Sequence, residues 1–207
     1  MILLKMKKLQ QDFFERKQVT KIARDLLGKL IVTRFGNEYT VGRIVETEAY
    51  NGVTDKASHA YCGRRTKRTE VMFGQAGNAY VYLCYGIHHL FNVVTNIEGI
   101  PHAVLIRAME PVEGLEIMVQ RLKKAKPDFS VGRGPGNVAR ALGINILHSG
   151  RDLQSDDFFL ADDGRKFSGS QVTVTSRIGV DYAAEDALLP YRFCLTGNPY
   201  VSRPVKL

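Results

Sequence analysis

The sequence predicts an α+β fold: a single mixed domain around a curved antiparallel β-sheet, with a protruding β-hairpin and peripheral helices. Three observations predict it. Short runs of alternating apolar residues dominate, bounded by Gly, Asn and Asp turns. Helical spacing is confined to a few separated stretches. No repeat, low-complexity tract or long Pro/Ser linker divides the chain. A chain of 207 residues has room for one sizeable core, so residues 1–207 are expected to fold as one domain.

The elements follow in order. The N-terminal MILLKMKKLQQDFF mixes apolar residues with lysines and has no small-residue cleavage site, which argues against a secretory signal. Thr20 is expected to cap a short helix, KIARDLLG, with Ile22, Leu26 and Leu27 on one side and Gly28 as its stop. KLIVTRF and YTVGRIVETEAY read as strands joined by a turn at 36–38. Residues 51–78 have no sustained period and many turn formers, so they are expected to form a long loop. NAYVYLCYGIHHLFN reads as a hairpin and AVLIRAM as a further strand. Leu115, Met118, Val119 and Leu122 predict an amphipathic helix over 113–126, with basic residues toward its C-terminal end. GRGPGNVARALGIN is a glycine loop leading into a short helix that Gly143 ends, and SQVTVTSRIGV and YRFCLTG are late strands.

Composition narrows the function classes. With 44% hydrophobic and 24% charged residues the chain is globular, and it lacks any apolar run approaching the roughly 18 to 20 residues that span a bilayer, so no membrane partner is expected. Cys62, Cys84 and Cys194 are odd in number and form no C-x-x-C pair, which argues against a disulfide framework or a structural zinc site. Reduced, partly buried thiols and a cytoplasmic location, nucleoid-associated if bacterial, are expected. A net charge of +8 favours a polyanionic partner.

Three constellations bear chemistry. In RIVETEAY, strand alternation puts Ile44, Glu46, Glu48 and Tyr50 on one face. Alternate strand residues stand about 6.5 to 7 Å apart, close to the separation at which one carboxylate activates a water against an anomeric carbon. The pair fits glycosidic chemistry, and it also fits a solvated face with one carboxylate salt-bridged to a neighbouring cation. His59 and the cluster Arg64, Arg65, Lys67 and Arg68 lie in the long loop, where guanidinium forks could hold phosphate oxygens or merely be solvated. In the hairpin, Tyr80 and Tyr82 share one face, Ala79, Val81 and Leu83 pack on the other, and Tyr85 and Gly86 fall at the turn. A tyrosine at a hairpin tip has little core to join, and proteins that open a duplex insert side chains from such protrusions. Asn92 returns near Tyr80 and Tyr82 with amide groups that a stacked base could use. GRGPGN lacks the Lys-Ser or Lys-Thr ending of a nucleotide-binding P-loop.

Taken in order, RIVETEAY, DKASHAYCGRRTKR, VMFGQAGNAYVYLCYGIHHLFNVV, AVLIRAMEP, GRGPGNVARALGI and SRIGV resemble the alkyladenine, or 3-methyladenine, DNA glycosylase family, from ARDLLGKL to the C-terminal GNPYVS. The resemblance implies a monofunctional, monomeric enzyme that bends double-stranded DNA containing damaged purines, flips the base and hydrolyses its N-glycosidic bond. It implies that Glu48 is the general base and that Arg107 helps hold the attacking water. Tyr50, His59 and Tyr82 would sandwich and hydrogen-bond the flipped base, and Asn92 would crowd the exocyclic amine of guanine. Tyr85 would intercalate with support from Ile87, and Arg64 and Thr66 would touch the DNA backbone. No metal or cofactor is called for. Asn137 stands where the family's glycine loop usually has lysine, and His88 and His89 follow the hairpin tip.

Overall fold

The β-branched and aromatic runs of this chain pair into one sheet, and the computed structural model describes them over residues 6–203. The first five residues of the N-terminal segment discussed above, and the last four of the chain, lie outside the described residues. Strand β1 (Lys7–Lys8) is followed by helices α1 (Gln11–Phe14) and α2 (Val19–Asp25). Next come β2 (Leu30–Phe35), β3 (Glu38–Tyr50), β4 (Ala79–Cys84), β5 (His88–Thr95) and β6 (His102–Glu113). Helices α3 (Leu115–Arg121) and α4 (Pro135–Leu142) precede β7 (Phe158–Asp162), β8 (Val172–Thr175) and β9 (Arg192–Leu195). The strand order is β1-β7-β2-β3-β6-β5-β4, every pairing is antiparallel, and β9 joins β3 to β8. This is the mixed α+β class with an open, curved sheet. No helix among the described residues is long and apolar enough to cross a membrane.

The long strand β3 organises the sheet. Its first half pairs with β2 and Glu46, Thr47 and Glu48 pair with β9, while its other edge follows β6 from Val41 to Tyr50. Register shifts between Ile44 and Thr47 leave Val45 on β3 and Arg107 on β6 without a partner, and such bulges bend a strand and re-aim its side chains. Simple alternation therefore fails at Ile44, which joins Val45 in the main core. Glu46, Glu48 and Tyr50 keep a common side. The main core also takes Ile22, Ala23 and Leu26 around α2, and Val138, Ala139 and Leu142 of α4. A second cluster, Ala60, Met72, Phe73, Tyr80, Val94 and Ala103, packs under the 51–78 segment.

Several expectations change in the folded chain. Thr20 lies inside α2 and Gln18 occupies the cap position without a side-chain hydrogen bond. The helix expected over 113–126 spans only Leu115–Arg121, because Glu113 continues β6 and Gly114 turns at φ 76°. Leu83 is exposed because the hairpin runs past the core, whereas Ala79 and Val81 pack as expected. Residues 51–78 are irregular as expected, broken by short 3₁₀ turns at Gly52–Thr54, Tyr61–Gly63 and Glu70–Phe73. All three cysteines are free, but Cys62 is exposed rather than partly buried. The fragment FFLAD, which carries no turn or period signal of its own, forms β7 by pairing with β2.

Candidate active site

The carboxylates of Glu46 and Glu48 are fully buried, so the solvated-face reading is excluded. Glu46 Oε1 accepts from Arg107 Nε at 3.0 Å, Arg192 Nε at 2.8 Å and the Ser202 hydroxyl at 2.8 Å, while Oε2 accepts from the Ser202 backbone N–H at 2.6 Å. Two cations and a backbone donor occupy it, which makes Glu46 an anchor rather than a base. Glu48 is less constrained. Its Oε2 accepts from the Tyr50 hydroxyl at 2.9 Å and from Arg107 Nη1 at 3.2 Å, and its Oε1 accepts from the Ile178 backbone N–H at 2.8 Å. A carboxylate oxygen has two acceptor sites, so Oε1 keeps one for a further donor.

Burial pushes the Glu48 carboxyl above the ordinary carboxylate value, outweighing the opposing pull of Arg107 and the two hydrogen bonds. The same burial, with the Glu48 charge, raises the Tyr50 hydroxyl far enough to keep it a donor. Arg107 stays charged because Glu48 and Glu46 both face it, against the cost of desolvation. Its bulged position on β6 lets one guanidinium bridge both carboxylates.

A cleft of about 600 Å³ opens over this group, lined among others by Tyr50, His59, Arg68, Tyr82, Tyr85 and Arg107. Glu48 lies just behind its wall, reached past Tyr50 and Arg107. His59 Nδ1 is 2.8 Å from the Tyr80 hydroxyl, and its Nε2 is 3.2 Å from Arg68 Nη2. A guanidinium only donates, so Nε2 accepts and the network assigns the imidazole proton to Nδ1. Burial, with the charges of Arg68 and Arg64, holds the imidazole down at about 4, so it is neutral near pH 7. The His59 and Tyr82 rings meet edge to face at 4.7 Å between centroids. Asn92 is buried opposite Tyr80 in register and donates to the Tyr80 carbonyl at 3.1 Å.

The hairpin between β4 and β5 carries Tyr85 at its tip. Tyr85 is 92% exposed and Ile87 71% exposed. Tyr85 and Gly86 have φ 50° and 72°, and the Ile87 N–H closes the turn on the Cys84 carbonyl at 3.1 Å. That left-handed backbone suits Gly or Asn and is strained for tyrosine. An exposed aromatic held at a conformational cost points to function at the tip. On the flanking loop, the buried Thr69 hydroxyl accepts from the Thr66 N–H and donates to the Arg64 carbonyl, leaving the Arg64 and Thr66 side chains exposed. In the glycine loop, Asn137 donates to the Ser130 and Arg133 carbonyls, so its amide ties the loop together. Gly136 is bare because a Cβ there would come within 2.9 Å of His88 Nδ1, which lets α4 start against the hairpin. Among the described residues no group of three or more His, Cys, Asp or Glu side chains is placed to hold a metal ion.

A family model described as methylpurine-DNA glycosylase matches residues 12–199. The chain belongs to the methylpurine-DNA glycosylase family. It is accordingly an N-glycosyl hydrolase of the DNA glycosylase type. A relative from Chlamydia pneumoniae is 46% identical over 189 residues, covering 91% of this chain and 95% of its own. One from Anaeromyxobacter sp. (strain Fw109-5) is 48% identical over 197 residues, covering 95% and 93%, and one from Desulfitobacterium hafniense (strain Y51) is 43% identical, covering 95% and 99%. Each is named as a candidate 3-methyladenine DNA glycosylase.

Within the glycosylase, Glu48, Arg107, Tyr50, His59, Tyr82 and Asn92 gather on one side of the sheet, with Tyr85 and Ile87 at its rim and Arg64 and Thr66 on the loop beside it. Sequence reasoning missed the supports. Arg192 and Ser202 reach Glu46 from more than 140 positions away, and no local signal marks them. It also missed Arg177, whose guanidinium is buried against Asp55 and joins the long loop to the segment carrying Ile178.

Proposed function

We propose that this protein, acting as a monomer through a single domain, flips alkylated or deaminated purines out of duplex DNA and releases them, leaving an abasic site. What carries the reading is a buried, high-pKa carboxylate bridged to an arginine behind an aromatic cleft, at the foot of a hairpin with an exposed tyrosine tip. Glu48 takes a proton from water as the oxygen attacks C1′, the C1′–N bond breaks, and the purine leaves with the bonding electrons. The Glu48 charge stabilises the oxocarbenium-like transition state, and Arg107 holds the water. A cationic alkylated purine leaves as a neutral base, whereas hypoxanthine first needs a proton on its ring. Tyr50, His59 and Tyr82 stack on and hydrogen-bond the base, Asn92 crowds the exocyclic amine of guanine, and Arg64 and Thr66 touch the DNA backbone. Flipping costs a few kcal/mol, least for a damaged base, and stacking returns about 1 to 3 kcal/mol per contact. No lysine is placed in the quoted motifs as a Schiff-base nucleophile, so the strand is left intact.

The deciding experiment incubates excess enzyme with duplexes bearing one hypoxanthine, ethenoadenine or 7-methylguanine beside an undamaged control. Abasic sites are scored by alkaline cleavage. Release from a damaged duplex and not from the control is expected. No release from any of them, nor of 3-methyladenine from methylated DNA, would leave a DNA-binding protein without this chemistry.

Two further results are expected. The single-turnover rate on 7-methylguanine should fall as pH drops through the raised Glu48 pKa, above the ordinary 4.5, because the base must be ionised. On hypoxanthine the rate should also fall on the alkaline side as leaving-group protonation is lost. His59, neutral above about 4, adds no limb between pH 5 and 8. A flat hypoxanthine profile would remove leaving-group protonation from the mechanism. Tyr85→Asn should raise or maintain thermal stability, since Asn tolerates positive φ, yet lower base release about tenfold through lost stacking. Unchanged release would show that the tip does not intercalate.

A further inference from the structure

The residues proposed above to hold the purine leave little space between them. Beside the cleft is a recess of about 40 Å³ walled by Tyr50, His59, Tyr80, Tyr82, Asn92 and Tyr182 among others. It has room for a few water molecules, and a purine ring does not fit. His59 and Tyr82 line both spaces, whereas Arg68 lines only the outer cleft, which puts its guanidinium at the mouth of the recess. There it lies 4.6 Å from the Tyr82 ring centroid and donates to His59 Nε2 at 3.2 Å. Its neighbour Arg65 is committed to Glu70 through two hydrogen bonds, but Arg68 has no carboxylate partner among the described residues. The Tyr82 ring, the His59 imidazole and the neighbouring Tyr80 hydroxyl are its partners instead.

We propose that Arg68 is a built-in placeholder: a planar, cationic N–H donor that covers the mouth of the base pocket in the free protein and is displaced by the flipped purine. The inference rests on the base-flipping reading above. An N-alkylated purine shares the chemistry of the group it replaces, being flat, positively charged and able to carry N–H groups on its edge. It can take over the Tyr82 face and the His59 Nε2 acceptor together. A neutral purine brings no charge to the ring, so exchange against Arg68 favours cationic lesions. Cation–π contacts at exposed sites are weak, so the exchange is easily reversed.

The test compares Glu48→Gln with Glu48→Gln/Arg68→Ala, each at saturating protein on a duplex with one ethenoadenine, whose fluorescence reports stacked against flipped base. Saturation removes any part that Arg68 plays in phosphate affinity. The Arg68→Ala change is expected to raise the flipped-to-stacked ratio about threefold to tenfold, with Arg68→Lys in between. An unchanged ratio overturns the proposal, and a lower one shows instead that Arg68 clamps the base. A second readout needs no DNA. The NMR titration midpoint of His59 should rise from about 4 in Arg68→Ala as the facing guanidinium charge is lost, while burial, the larger cause, keeps it below 6.5, and an unmoved midpoint also overturns the proposal. If wild-type protein released no lesion, the glycosylase reading would fail, while the DNA-free titration would still decide whether Arg68 covers the pocket.

Discussion

Glu48→Gln is expected to abolish measurable base release while leaving binding to a lesion-containing duplex within about twofold. The amide keeps the size of the side chain but cannot take a proton from water, and a positioned general base contributes about 10² to 10⁴ in rate. Loss of the negative charge beside the developing oxocarbenium adds to that. Binding survives because Tyr85, Ile87, Arg64 and the basic loop are untouched, and Arg107 retains Glu46 as a partner at 3.0 Å. Single-turnover release with a parallel binding titration separates the two effects. Release at a tenth of the wild-type rate or faster would remove Glu48 as the base.

Arg177→Met is expected to be the most destabilising single change near the site. The Arg177 guanidinium donates to both oxygens of buried Asp55, at 2.5 and 2.8 Å, and to the Ala49 and Asp186 carbonyls at 2.9 and 3.0 Å. It also lies 4.8 Å from the Tyr50 ring centroid. Removing it leaves the Asp55 charge buried and uncompensated, a defect that costs about 3 to 5 kcal/mol. For a chain of this size that is about 10 °C in melting temperature. Base release should fall as well, since Arg177 precedes the Ile178 N–H that holds Glu48. Adding Asp55→Asn should recover part of the stability by removing the stranded charge. A thermal unfolding scan decides the matter: a loss under about 1 kcal/mol would mean that Asp55 finds another partner or becomes hydrated.

Much of the site was legible because it is local in sequence. Alternation alone placed Glu46, Glu48 and Tyr50 together, paired Tyr80 with Tyr82, and set Tyr85 at the tip, since a strand's side-chain period is two and a Tyr-Gly pair must turn. The order of the short motifs along the chain was specific enough to point to the family. The alternation argument broke at Ile44, where the bulges opposite Arg107 interrupt the register, and at Leu83, which lies beyond the core. Thr20 looked like a cap because capping residues are common before apolar spacing, but α2 had already begun at Val19. The 113–126 helix was overextended because amphipathic spacing does not register that β6 has claimed Glu113.

The sequence by itself determined the α+β class, the residue types proposed as base, wedge and stacking platform, and the net basic charge. Those properties depend on residue type and near-neighbour spacing. Only the tertiary structure supplied the physical difference between two glutamates that strand alternation treats alike. Glu46 is saturated by Arg107, Arg192 and Ser202, while Glu48 is buried with an acceptor site to spare and a raised pKa. Desolvation and ion pairing depend on what the fold brings within hydrogen-bond reach, and for Glu46 those partners arrive from distant parts of the chain.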